Sequence, residues 1–249
     1  MQSDKRIAVL IDADNVSKKY LTYIFDEISN QGTPTYKRIY GDWTKPQLSS
    51  WKANLLEYSI TPIQQYNYTT GKNSTDSALI IDAMDILYSG NIDGFCIVSS
   101  DSDFTRLASR LREAGMFVMG MGERKTPAPF IASCEVFKYL EVLEEISAET
   151  EEGETKKKVT ARKKSADVAK LATVKKAIVK IVSESSDEDG WVFLGTVANI
   201  MNRRYPDFDT RNYGHYKLKP FVASLGCFEI EDRPTKNPRA PQTYIKIKE

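Results

Sequence analysis

Near the start of the chain five apolar residues run without interruption, Ile7-Ala8-Val9-Leu10-Ile11, and end at Asp12. A strand with one wet face alternates apolar and polar residues, so an unbroken apolar run of this length requires cover on both faces, as for an inner strand of a parallel sheet. The sequence as far as Leu143 keeps the matching rhythm. Helical patterns over about 17–31, 47–58, 75–89 and 104–114 alternate with strand candidates Thr35–Tyr40, Ile60–Tyr66, Phe95–Ser99 and Met116–Met119. Gly32 and Gly115 stand where helix C-caps are expected, and Pro34 and Pro62 stand at strand starts. The expected fold is α/β, a doubly wound parallel sheet.

The pattern changes after Leu143. Glu144, Glu145, Glu149, Glu151, Glu152 and Glu154 give way to Lys156, Lys157, Lys158, Arg162, Lys163 and Lys164, blocks that cannot bury a core. Residues 146–168 are therefore expected to be a charged linker, helical in part where the opposite charges pair. Leu171, Val174, Ile178, Ile181 and Val182 restore the spacing of an amphipathic helix. The expected organisation is a domain at 1–145, the linker, and a small domain at 169–249. That domain is expected to hold further helices near Thr196–Arg204 and Lys217–Leu225, with strands Phe228–Glu231 and Thr243–Ile247 as a wing.

Several classes of function are excluded early. No apolar run approaches the roughly 20 residues that span a bilayer, and the polar start lacks the core of a signal peptide, so a cytoplasmic location is expected. Cys96, Cys134 and Cys227 form no C-x-x-C pair and read as buried or inert thiols. His215 is the sole histidine and lies outside the first domain, which removes histidine-based catalysis or metal ligation there. Net charge is +1, with a mild basic excess in 171–249, 13 basic residues against 10 acidic, which permits an anionic partner without demanding one.

What remains is carboxylate chemistry. In a doubly wound sheet ligands collect at the carboxyl ends of the strands. Asp12 and Asp14 follow the first strand there, Asp101 and Asp103 follow Phe95–Ser99, and Asp76 stands at the start of a helix behind Gly71-Lys72-Asn73-Ser74-Thr75. Two carboxylates about 4 Å apart repel by roughly 4 kcal/mol at an effective dielectric near 20, so such a cluster calls for a hard divalent ion, Mg²⁺ or Mn²⁺. Taken singly, Asp12 and Asp14 also fit helix caps, and Asp76 fits an acid favoured by a helix dipole. Asp82 lies six residues past Asp76, about 240° around the helix, and is expected to be structural or to support the site indirectly; Asp85 is expected to be a solvated or sheet-edge charge.

The segments Ile11-Asp12-Ala13-Asp14-Asn15, Gly71-Lys72-Asn73-x-x-Asp76 and Ser99-Ser100-Asp101-Ser102-Asp103-Phe104 resemble the three signatures of NYN domains, a PIN-like class that includes LabA-type bacterial proteins. The resemblance covers about residues 5–143. It implies a divalent-metal-dependent ribonuclease in which Asp12, Asp76, Asp101 and Asp103 are the catalytic, metal-binding acids. Asn15 would position the first loop, and Lys72 or Ser99 would lie near a phosphate. Ser100 departs from the glycine common in the family. The rival reading, a haloacid dehalogenase-like phosphatase, takes Asp12-x-Asp14-x-Val16 as its nucleophile motif and leaves the segment before Asp76 unexplained.

Farther on, Gly190-Trp191-Val192, Phe208-Asp209, Tyr213-Gly214 and Lys217-Leu218 resemble the OST-HTH or LOTUS domain, a winged-helix module linked to RNA. Arg203, Arg204, Arg211, Lys217 and Lys219 are candidates for phosphate contact, and Tyr213 or Tyr216 for stacking on a base; docking of a protein is the alternative. Trp191 and Phe221 are expected in the core. The combined expectation is a metal-dependent endoribonuclease brought to RNA by its second domain, with a non-catalytic RNA-binding regulator as the alternative.

Overall fold

The structure is a computed structural model and describes residues 4–66, 74–151, 164–234 and 241–248. It divides into two compact units, Met1–Glu151 and Glu152–Glu249.

The first unit runs β1 (Lys5–Asp12), α1 (Leu21–Ser29), β2 (Gly32–Gly41), α2 (Lys52–Glu57), β3 (Thr61–Gln64), α3 (Ser74–Ser89), β4 (Gly94–Val98), α4 (Thr105–Glu113), β5 (Phe117–Gly122), α5 (Ala128–Ser133), β6 (Val136–Tyr139) and α6 (Leu140–Glu151). Its six strands form one sheet in the order β3-β2-β1-β4-β5-β6, with every pairing parallel. The uninterrupted apolar run explains the centre. Ile7 to Ile11 are fully buried, with Ile7, Val9 and Ile11 in one core and Ala8 and Leu10 in the core on the opposite face. Leu21, Ile24 and Ile28 of α1 close the first core, and Leu79 of α3 with Leu107 and Leu111 of α4 close the second. All strands run the same way, but the order in which they are added reverses between β1 and β4, the kind of switch point at whose carboxyl ends α/β sheets bind ligands in a crevice.

Three elements depart from the sequence reading. A six-residue helix, α5, and a four-residue edge strand, β6, fill a stretch too short to show a period, and α6 continues the chain from β6 as far as Glu151. Of the linker expected over 146–168, residues 152–163 lie outside the described residues, and its described ends are helical, in α6 and in α7. Gly115 has φ +81° at the end of α4, as a glycine cap should. Gly32 has another reason: a Cβ there would overlap the carbonyl of Lys5 in the neighbouring strand.

The second unit holds α7 (Lys164–Ser185), β7 (Val192–Phe193), α8 (Leu194–Arg204), α9 (Leu218–Ser224), β8 (Phe228–Arg233) and β9 (Gln242–Ile247). The strands form a small antiparallel sheet in the order β7-β9-β8, so the expected two-stranded wing gains a third, very short strand. Val174, Ile178, Ile181 and Val182 of α7 meet Val197, Phe221 and Ile245 in one core. Phe221 is fully buried as expected, whereas Trp191 is partly exposed with the Arg233 guanidinium 5.2 Å from its ring. Cys96 and Cys134 are buried in the first unit; Cys227, in the second, is partly exposed. Among the described residues no helix is long and apolar enough to cross a membrane.

Candidate functional site

Asp12 ends β1 and is 1% exposed. Both of its oxygens are held: Oδ1 accepts the backbone N–H of Asp14 at 3.0 Å, and Oδ2 accepts Asn15 Nδ2 at 2.7 Å and the Ser99 hydroxyl at 2.8 Å. Ser99, just past β4, in turn accepts the backbone N–H of Asp101 at 3.1 Å, and Asp101 Oδ1 accepts that of Asp103 at 2.9 Å. One chain of hydrogen bonds thus ties the end of β1 to the turn after β4. Ser100 fastens the same turn to β5, since its hydroxyl accepts the Glu123 N–H at 2.8 Å.

Asp76 enters from the first turn of α3, where the helix dipole favours an acid. It meets the other two at the mouth of the crevice: one carboxylate oxygen each from Asp76, Asp101 and Asp103 lie within 4.8 Å of one another. Burial, then the neighbouring charges of Asp12, Asp101, Asp103 and Asp14, push the Asp76 carboxyl up to about 6. Burial also raises Asp12, against the hydrogen bonds from Asn15, Ser99 and the Asp14 N–H.

Of the four acids singled out from sequence, the structure gathers Asp76, Asp101 and Asp103, while Asp12 stands outside that group and accepts from the Asp14 N–H, Asn15 and Ser99. Asn15, in the first loop, donates its amide to Asp12. Ser99, expected beside a phosphate, is fully buried and bridges Asp12 to the backbone of Asp101 instead. Lys72 lies outside the described residues. Asp82 accepts from both Arg38 and Tyr40 of β2, pinning α3 to the sheet, and Asp85 is exposed. Sequence reasoning passed over Lys45, whose Nζ lies 3.1 Å from Asp14 Oδ1; the available signal was its place just after β2, at the same sheet edge.

In the second unit the candidates are scattered in their engagements. Arg203 and Lys217 are exposed. Arg204 pairs with Glu184 at 3.2 Å, Lys219 with Asp232 at 2.5 Å, and the Arg211 fork closes on Asp209 at 2.7 Å. Tyr213 packs against Phe221 with ring centroids 5.1 Å apart, and Tyr216 stays 59% exposed.

The family model for the NYN domain matches residues 6–144, the whole of the sheet and its acidic edge. The chain belongs to the NYN domain family. Membership displaces the phosphatase alternative, which shared only the Asp12-x-Asp14 segment. The model for the OST-HTH/LOTUS domain matches residues 169–240, so this NYN chain carries that module behind its first domain. No curated protein matches the chain. A crystal structure of a protein of unknown function from Vibrio parahaemolyticus is 19% identical, with a TM-score of 0.47, over 55% of this chain and 93% of that one. The solution NMR structure of an uncharacterized protein from Nitrosomonas europaea is 26% identical, with a TM-score of 0.27, over 39% of this chain and 81% of that one.

Proposed function

We propose that this NYN protein is a divalent-metal-dependent endoribonuclease whose OST-HTH/LOTUS unit brings it to RNA. The observation that carries the reading is the approach of Asp76, Asp101 and Asp103 to within 4.8 Å, with the Asp76 carboxyl raised first by burial and then by the charges around it. An all-oxygen donor set with no histidine or cysteine suits a hard cation such as Mg²⁺ or Mn²⁺. Asp76, Asp101 and Asp103 would hold it. A cation bound there supplies charge stabilisation for a phosphodiester under attack and a water made more acidic for that attack.

The protein's own residues do the rest. Asp12, locked by Asn15 and Ser99, fixes the turn that presents Asp101 and Asp103. Neutral at low pH, Asp76 becomes a full ligand only as its proton leaves, which a cation promotes. In the second unit Arg203 and Lys217 are the exposed cations proposed to meet phosphates.

The test is cleavage of a panel of single-stranded and structured RNAs with Mg²⁺, with Mn²⁺ and with EDTA. Internal cuts that need the ion support the reading. Tight RNA binding with no cleavage under either ion would instead make the protein a non-catalytic regulator. Binding of a protein but of no RNA by the full chain would turn the second unit into a docking module.

A further inference from the structure

At the edge of the acidic crevice one ion pair has no part in holding a cation. Asp14 is not among the three converging carboxylates; it bonds Lys45 Nζ at 3.1 Å through Oδ1 and the Thr75 hydroxyl at 3.4 Å through Oδ2. We propose that Lys45 is a substrate-binding residue, the cation that receives an RNA phosphate on the β2 side of the metal-binding acids. This inference rests on the ribonuclease reading of the same site.

The case begins with charge. Asp76, Asp101 and Asp103 converge to within 4.8 Å at one sheet edge, where Asp12 and Asp14 also stand at the end of β1. One divalent ion offsets part of that negative field, and an approaching phosphodiester still needs a cation beside it. Lys45 provides one in a suitable state. Its side chain is 29% exposed, and an ammonium has three donors, of which Asp14 takes one.

Its loop is also built to hold it. The Lys45 N–H donates to the Asp42 carbonyl at 3.0 Å. Buried Asp42 accepts from the Thr44 hydroxyl at 2.6 Å and from Gln64 Nε2 at 3.0 Å, while Trp43 Nε1 donates to the Ile63 carbonyl at 3.0 Å. A lysine fixed at both backbone and ammonium loses less freedom on binding than an unrestrained surface lysine. The sheet order gives direction as well: the Lys45 loop follows β2, and Asp101 and Asp103 follow β4, on opposite sides of β1. A strand of RNA bound by both therefore crosses the end of β1, over Asp14.

Two measurements on the full chain test this. In an Asp101→Asn background, where cleavage is suppressed, binding of a short single-stranded RNA is measured across salt with Mn²⁺ present. Lys45→Met should weaken binding and lower the slope of log affinity against log salt by about 0.7, the share of one phosphate on a single strand, and Lys45→Arg should restore it. In the otherwise unaltered chain, Lys45→Met should raise KM far more than it lowers kcat and leave the Mn²⁺ midpoint in place. An unchanged slope and KM, or an effect confined to the Mn²⁺ midpoint or to Tm, would overturn the proposal and leave the pair as a neutraliser of Asp14. If the unaltered chain cuts no RNA while Lys45→Met still flattens the slope, the nuclease reading falls and the phosphate contact stands.

Discussion

A carboxylate held beside four others has a stability cost that pH can expose. Asp76 keeps its proton up to about 6 in the native protein and loses it near the ordinary 4 when unfolded, so between those values the native state binds more protons. The contribution of Asp76 to stability in EDTA should therefore be fully present below about pH 4 and be lost as pH rises through 6. Because Asp76 is partly exposed, solvent screening limits the loss to on the order of 1 kcal/mol. Thermal melts from pH 4 to 7 should show a steeper fall for the unaltered chain than for Asp76→Asn; identical slopes would mean that burial and the neighbouring acids do not raise Asp76. Asp101→Asn separates the two jobs of its residue. The amide can still cap the turn by accepting from Asp103, so metal-free stability should hold or rise by about 1 kcal/mol, while cleavage and the Mn²⁺-dependent gain in Tm collapse. A destabilised mutant that still cut RNA would remove Asp101 from the site. The acids were legible in sequence because each follows a strand end or opens a helix within a few residues. Ser99 as a bridge and Lys45 as a cation were not, since the first depends on a side-chain direction and the second on β2 lying next to β1.

At the level of elements, the β5 end shapes the site without contributing an acid. A Cβ on Gly122 would stand 2.6 Å from the Ser99 carbonyl and 2.5 Å from the Thr126 hydroxyl oxygen. Gly122→Ala should therefore push the Ser99 turn outward, cost about 1–3 kcal/mol and reduce the metal-linked rise in Tm, as melts with and without Mn²⁺ would show. A mutant equal to the unaltered chain in both respects would mean that the turn gives freely. Most of the longer elements through β5 were readable because α1, α3 and α4 bury one face with a clear period while the apolar runs of β1, β4 and β5 are buried on both. At α5 and β6 six and four residues are too few to reveal one, and β7 has only two. Asp82 was readable as structural from its angle around α3, although its partners Arg38 and Tyr40 come from a strand more than forty residues earlier and needed the fold to be seen.

Across the whole molecule each unit closes a core of its own, the second around Phe221 with Ile178, Val197 and Ile245. Phe221→Ala should cost the second unit about 3–5 kcal/mol. The unfolding step that Mn²⁺ shifts should stay where it is; a joint shift of all transitions in calorimetry would show that the two units unfold together. The cysteines make this separable by chemistry alone. Burial, foremost, pushes the Cys134 thiol up to about 12 and holds Cys96 above its usual range, so neither offers a thiolate while the first unit is closed. Cys227 belongs to the second unit and is partly exposed. A thiol reagent added to the unlabelled protein therefore keeps two clocks, one running at Cys227 from the start and one at Cys96 and Cys134 that ticks only when the nuclease-like unit opens.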